Sequence, residues 1–192
     1  APTPRPSPPP QERATKISHG NTAAHATQHG DPVLSKICAS IAGDEARHER
    51  AYQKIIDELF RLDPSGTMLA FNHMMHQQIV MPAHLMDDGV HAALNKTASG
   101  RLFKDFSSVA QTTGTYTGHD YVAIMEFLIK HWKIETMTGL TPEAQAAQEA
   151  VCLLLTKMRK LMVLQDRRIA ARKPNMVKFS WAQGREVPVG PI

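Results

Sequence analysis

One helical stripe in the first third of the chain constrains the fold most. Between residues 34 and 59, eight positions recur at alternating steps of about four and three, the spacing of a seam along which a helix packs into a bundle. The stripe consists of Leu34, Cys38, Ile41, Glu45, His48, Tyr52, Ile55 and Leu59. The sequence therefore predicts an all-α protein in which this face of the helix points inward.

Two positions of this otherwise apolar stripe are polar, Glu45 and His48. A carboxylate and an imidazole cost free energy when they are desolvated without partners, so their burial predicts a compensating group. A metal ion is the simplest one, because Glu-x-x-His pairs that project into a four-helix bundle hold iron in di-iron carboxylate proteins. The alternative is a solvated surface pair, and spacing alone leaves both interpretations open.

Short segments dispersed along the chain accompany this pair. They are Gln11–Thr15, Ile17–Thr22, Asp44–Glu49, Met81–Met86, Asp120–Tyr121, Glu126–Leu128, Leu140–Thr141 and Phe179–Trp181. Together they resemble the plant plastid acyl-(acyl carrier protein) desaturases of the stearoyl type, over residues 11 to 189. The resemblance implies a ferritin-like di-iron helical bundle with a short extended C-terminal tail.

The resemblance also implies iron ligands. In di-iron bundles two irons are held by one Glu from each of two helices and a Glu-x-x-His from each of two others. Glu12 resembles a lone carboxylate of this kind, and Glu45 with His48 resembles a Glu-x-x-His pair. The eleven residues before Glu12 contain neither Glu nor His. We therefore expect the chain to be the C-terminal half of a desaturase, with half of the ligands.

Other residues acquire expected roles from the same resemblance. Asp44 resembles a carboxylate that orients a ligating imidazole. Thr15 resembles a hydroxyl near the dioxygen site, although a helical Thr can also simply bond its own backbone. Phe103 and Phe106 resemble residues that line the acyl channel, although an aromatic pair at this spacing would also fill a core.

The activity implied by the resemblance is insertion of a cis double bond, at the delta-9 position, into an acyl chain on acyl carrier protein. Dioxygen and electrons from ferredoxin drive the reaction, and the enzyme is expected to be a homodimer in the plastid stroma. The N-terminus shows no recognisable targeting segment, so this location rests on the resemblance alone. No apolar run approaches the roughly 20 residues that span a bilayer.

The first ten residues differ in composition from the rest. Six of them are prolines, and such a segment favours an extended polyproline conformation over a helix. We expect a disordered lead over residues 1–10 and a desaturase domain over 11–192.

Capping signals and periodicity predict the remaining elements. Asp31 and Pro32 are a typical N-cap and first helical residue. The Gly20-Asn21 pair is expected to loosen the preceding helix. The predicted helices cover about 32–62, 65 to just before Pro82, 99–113, 117–133 and 141–172, and a short hairpin is predicted within 176–189.

A basic segment near the C-terminus bears on partners. Residues 156–173 hold seven Lys or Arg and one acid, whereas the whole chain carries a net charge of +4. Such a face could bind acyl carrier protein, bind nucleic acid or simply be solvated. No aromatic residue interleaves with these cations, so binding to nucleic acid is not expected. Besides a desaturase half and a nucleic-acid-binding protein, the chain could be a non-catalytic helical protein that pairs with intact desaturase subunits.

The cysteines and the other histidines do not predict a further site. Cys38 and Cys152 are expected to be buried free thiols. His73 and His76 are expected to form an exposed pair, and His91 has no evident helical partner.

Overall fold

The structure is a computed structural model and describes residues 9–76, 87–95, 102–171, 175–183 and 185–189. These residues are mainly helical, which confirms the predicted fold class. The elements are α1 (Pro9–Gln28), α2 (Pro32–Leu62), α3 (Pro64–His76), α4 (His91–Leu94), α5 (Leu102–Thr112), α6 (Gly118–His131), α7 (Pro142–Ala171), β1 (Asn175–Lys178) and β2 (Glu186–Val189).

Helix α2 has the bounds that its capping residues predict. Asp31 Oδ1 accepts a hydrogen bond from the backbone N–H of Leu34 at 2.9 Å, and Pro32 occupies the first helical position. This satisfies one of the N–H groups that a helix start leaves unpaired. The segment Met81–Met86, which contributes to the resemblance, lies outside the described residues.

Helix α1 differs from the prediction at two points. Its first described residue is Pro9, so Pro9 and Pro10 of the predicted Pro-rich lead are helical, and residues 1–8 of that lead lie outside the described residues. It also runs unbroken through Gly20 and Asn21. The expected loosening at this pair was wrong, since contact with α2 along the length of α1 outweighs the weak helix propensity of glycine.

The described elements form two compact units, and each is described here by itself. The first contains α1, α2, α3, α6 and the first part of α7. Its core is made of apolar side chains with little or no exposure, among them Met68, Phe71, Ile124, Met125, Leu128, Ile134 and Val151. These buried residues lie on α3, α6 and α7 and in the turn after α6.

Trp132, the first residue after α6, is also buried. Its ring lies edge-on to Phe71 with the centroids 5.4 Å apart, and 5.7 Å from the ring of Phe60. The indole Nε1 donates to Asp57 Oδ1 at 2.8 Å. The buried indole therefore keeps its one hydrogen bond and ties α6 to α2.

The second unit contains α4, α5, the last part of α7 and the C-terminal hairpin. Strands β1 and β2 pair antiparallel, with Val177 opposite Val187. This confirms the predicted hairpin. Its inner side packs on α5 through a cluster of Leu102, Val177, Phe179 and Val189.

A buried polar network fastens the hairpin to α4 and α5. His91 Nε2 lies 2.8 Å from Asp105 Oδ2, and both side chains are almost fully buried. Asn95 Nδ2 donates to the carbonyl oxygen of Lys178 at 2.7 Å, and Asn95 Oδ1 accepts from the Lys178 N–H at 2.7 Å. The sequence predicted no helical partner for His91. Its partner, Asp105, lies on another helix.

Replacing Asn95 with Ala is expected to lower the free energy of unfolding of the second unit by about 2 kcal/mol. The change leaves the backbone N–H and carbonyl of Lys178 without their side-chain partner, and an unsatisfied buried group costs roughly 1–3 kcal/mol. Chemical denaturation measures the loss, and hydrogen exchange at the Lys178 amide locates it. Unchanged exchange at that amide would contradict the prediction. The exposed Thr113, replaced with Ala, is the control.

Two smaller expectations also have outcomes. Cys38 is buried, Cys152 is partly buried, and both thiols are free. His73 and His76 are both exposed, as predicted. Within the described residues, no helix is both long enough and apolar enough to cross a bilayer.

Candidate metal centre

Glu12 on α1 meets Glu45 and His48 on α2 at one level of the helix pair. One donor atom from each side chain lies within 4.8 Å of the other two. His48 Nδ1 is 3.1 Å from Glu45 Oε2 and 3.4 Å from Glu12 Oε2. The structure thus brings together all three residues predicted as ligands, although their role as ligands stays a prediction.

The electrostatics of this cluster favour a cation. Burial of Glu12, together with the adjacent Glu45 carboxyl, raises the pKa of Glu12 above its ordinary value, and nearby His48 only partly offsets this. Desolvation disfavours the charged form of Glu12, and the neighbouring Glu45 carboxyl disfavours it further. A divalent cation between the two carboxyl groups would favour the charged form of both.

The donor set also fits iron. Carboxylate oxygens together with an imidazole nitrogen suit divalent transition metals, whereas all-oxygen sets suit magnesium or calcium. The side chain of His48 is 59% exposed while that of Glu12 is 10% exposed. The site is therefore buried at Glu12 on α1 and exposed at His48 on α2.

The open side belongs to the stripe that the sequence predicts as an inward seam. Cys38 is buried, but Leu34, Ile55 and Leu59 are exposed. In this chain the predicted burial of the stripe was wrong at these positions. Further exposed apolar residues on α2 adjoin them: Val33, Ile37 and Leu62. The candidate site therefore lies in the middle of an apolar face that the described residues leave exposed.

Comparison with known proteins supplies the context for this arrangement. Residues 10–183 match the model of the family described as "Fatty acid desaturase". The chain belongs to the fatty acid desaturase family. It is 52% identical over 179 residues to the chloroplastic stearoyl-[acyl-carrier-protein] 9-desaturase of Brassica napus. It is 49% identical over 180 residues to the chloroplastic palmitoyl-[acyl-carrier-protein] 4-desaturase 3 of Ophrys sphegodes.

These desaturase relatives are much longer than the chain. Each alignment covers 92% of the chain but 42% of the relative, and the same shares hold for stearoyl-[acyl-carrier-protein] 9-desaturase 2 of Oryza sativa subsp. indica, 50% identical over 177 residues. The chain thus spans less than half the length of these desaturases. Its family confirms the ferritin-like helical fold expected from the sequence.

Thr15 and Asp44 do not belong to the cluster of the three candidate ligands. Thr15 Oγ1 donates to the carbonyl of Glu12 at 2.9 Å and of Gln11 at 3.1 Å, the backbone bonding expected of a helical Thr. The side chain of Asp44 is 54% exposed and pairs with Arg47. Their roles near dioxygen and the imidazole stay predictions.

The residues predicted for the acyl channel lie on α5, in the second unit. Phe103 is half-buried and Phe106 is exposed. Lys104 between them is also half-buried. The channel role of the two phenylalanines stays a prediction.

Sequence reasoning missed a charged cluster beside the candidate metal centre. Glu49 is buried between Arg13 and Lys16 of α1. Burial alone would raise the pKa of Glu49, but the hydrogen bonds from Lys16 and Arg13 outweigh it and hold that pKa below its ordinary value. The cluster therefore stabilises the fold above the ordinary carboxyl pKa and loses that contribution as the pH falls through the lowered value.

Proposed function

We propose that this chain carries half of the di-iron site of an acyl-(acyl carrier protein) desaturase. The observation that carries the proposal is the convergence of Glu12, Glu45 and His48, from two helices, on one point. Similarity to desaturases over nearly the whole chain supports it. The reaction is insertion of a cis double bond at the delta-9 position into a saturated acyl chain, in fatty acid biosynthesis.

The three residues have separate tasks in this proposal. Glu12 and Glu45 would hold iron through carboxylate oxygens, and His48 would hold it through an imidazole nitrogen. Bound iron supplies the oxidising power that removal of hydrogen from an unactivated methylene requires. The protein contributes fixed carboxylate oxygens, whose hard character stabilises the oxidised metal. The family requires a second such set, which is not found among the described residues.

The proposed partners follow from the substrate and from the surface of α7. The substrate is carried on acyl carrier protein, and ferredoxin supplies electrons. The C-terminal half of α7 exposes Lys157, Lys160, Arg167 and Arg168, and an acidic carrier protein would be attracted to such a face. The relatives are named as chloroplastic, and we place the complete enzyme in the plastid stroma as a homodimer.

A reconstitution experiment tests this function. The purified chain is loaded with Fe(II) without oxygen and supplied with ferredoxin, its reductase, dioxygen and stearoyl-acyl carrier protein. Alone, it is expected to hold at most about one iron weakly and to form no oleoyl product, since a di-iron site of this class uses about six protein ligands. Co-expression with the remaining N-terminal portion of the Brassica napus relative is expected to restore two irons and product.

Two outcomes would contradict the proposal. One is failure of the chain to bind iron either alone or with the complementary portion. The other is oleoyl product from the chain alone with two irons per dimer, which would show that two copies complete the site. Glu45→Gln in the co-expressed pair is the matched control and is expected to abolish product.

A second candidate function is non-catalytic pairing with intact desaturase subunits. The exposed apolar face of α2 favours it, because such a face is a typical docking surface for helices. Iron content separates the two functions. A pairing protein would bind a desaturase subunit whether or not iron is present.

A further inference from the structure

Glu49 is the most deeply buried charged residue on α2, with 4% exposure. Each of its carboxylate oxygens meets a cation from α1. Oε1 accepts from Arg13 Nη1, and Oε2 accepts from Lys16 Nζ at 2.5 Å. Gln53, one turn further along α2, donates to Oε1 at 3.1 Å. The carboxylate therefore accepts three hydrogen bonds, two of them from cations, which compensate for its burial.

Arg13 is itself held in place from a third helix. Its guanidinium carbon lies 3.5 Å from the centroid of the Phe127 ring on α6. A cation over an aromatic face is attracted to it, and the planar guanidinium stacks well there. Arg13 thus links the Glu49 carboxylate on α2 to the Phe127 ring on α6.

These charged residues adjoin the candidate ligands in sequence. Arg13 directly follows Glu12, and Glu49 directly follows His48. Successive residues of a helix are separated by about 100° and 1.5 Å, so the ion pair lies at the level of the ligands but turned toward the helix interface. Lys16 is one turn beyond Glu12 on the same face of α1.

The two contacts of His48 depend on the helix pair in different ways. Its 3.1 Å approach to Glu45 lies within α2 and follows from the three-residue spacing. Its 3.4 Å approach to Glu12 crosses from α2 to α1. A shift of one helix along the other would change the second distance and leave the first unchanged.

We propose that Glu49, together with Arg13 and Lys16, is a positioning cluster that sets the distance of Glu12 from His48 and so preorganises the metal centre. The inference rests on the proposed function only in taking these side chains as metal donors. The cluster itself touches neither metal nor substrate. Outer residues that orient ligands typically change metal affinity by about 10- to 100-fold when they are replaced.

The test is a Co(II) titration of the full chain and of Glu49→Gln, at a temperature where circular dichroism shows both to be folded. The variant keeps the size of the side chain but loses its charge, and it replaces one of the two acceptor oxygens with an NH2 donor. We expect Co(II) affinity to fall by about tenfold or more, with a changed visible absorption spectrum. Arg159→Gln is the matched control, because it breaks an ion pair between α7 and Glu126 of α6, at 2.6 Å, and is expected to bind Co(II) normally.

A metal-free measurement separates this inference from the proposed function. Nuclear Overhauser contacts between the His48 ring and the Glu12 side chain are expected in the unsubstituted chain and are expected to be lost in Glu49→Gln. If the unsubstituted chain binds no Co(II) but these contacts behave as expected, metal binding by the chain alone fails and the positioning role stands. Should Glu49→Gln fail to fold, Lys16→Met, which leaves the pair with Arg13, takes its place with a smaller effect in the same direction.

A folded variant with unchanged contacts between Glu12 and His48 would overturn the inference. So would unchanged Co(II) affinity and spectrum in that variant, even with a lowered melting temperature. The cluster would then stabilise the helix pair without positioning the donors.

Discussion

Replacing His48 with Ala is expected to weaken Co(II) or Fe(II) binding by more than about 100-fold, beyond the usual effect of an outer residue. His48 supplies the one nitrogen in a cluster whose other donors are Glu12 and Glu45. Without it, two carboxylates that already repel each other must hold the metal alone. Isothermal titration with Co(II), followed by its visible spectrum, measures the loss.

His73→Ala is the matched control for this experiment. His73 is also an exposed helical histidine, but it lies on α3 and is not part of the cluster. Its replacement is expected to leave metal affinity unchanged. Equal losses in the two variants, or none in His48→Ala, would show that the metal binds elsewhere.

The exposed face of α2 is expected to make the purified chain self-associate. Ile55 and Leu59 are 53% and 43% exposed, and Val33, Ile37 and Leu62 continue the same face. Burying such a stripe against a second copy removes apolar area from water, worth about 25 cal/mol per Å². Replacing both Ile55 and Leu59 with Lys is expected to convert dimers or larger species to monomers, as measured by sedimentation velocity at tens of micromolar.

The control adds the same charge to another part of α2. Ala39 and Gly43 are exposed and lie away from the apolar face, and a side chain at Gly43 meets no neighbouring atom within 4 Å. Lys at both positions is expected to leave association intact. A monomeric unsubstituted chain with a cooperative melting transition would refute the prediction.

Local signals explain why the bounds of α2 could be predicted. Asp31 and Pro32 act within one turn of the helix start, and the Glu45–His48 pair depends only on helical spacing. Such contacts are encoded within four residues, where sequence patterns are reliable. Whether the stripe is buried was harder to predict, because its burial depends on which segments pack against it.

Contacts between distant positions were not predictable in the same way. Glu12 was assigned through resemblance to a family, since no spacing rule links it to His48. The ion pair of Arg13 with Glu49 joins residues 36 positions apart. The contact of His91 with Asp105 spans 14 positions and two helices. Each depends on how helices pack, and single-sequence periodicity does not specify helix partners.

The short connection between α1 and α2 has a consequence for how the protein folds. Only residues 29–31 separate the two helices, so the cluster of Glu12, Glu45 and His48 forms as soon as one helical hairpin closes. Proteins rich in such local contacts fold fast, because little loop entropy is lost before the contacts form. The donors are therefore expected to come together once this hairpin forms, and a metal ion captured at that stage would favour the hairpin over competing collapsed states.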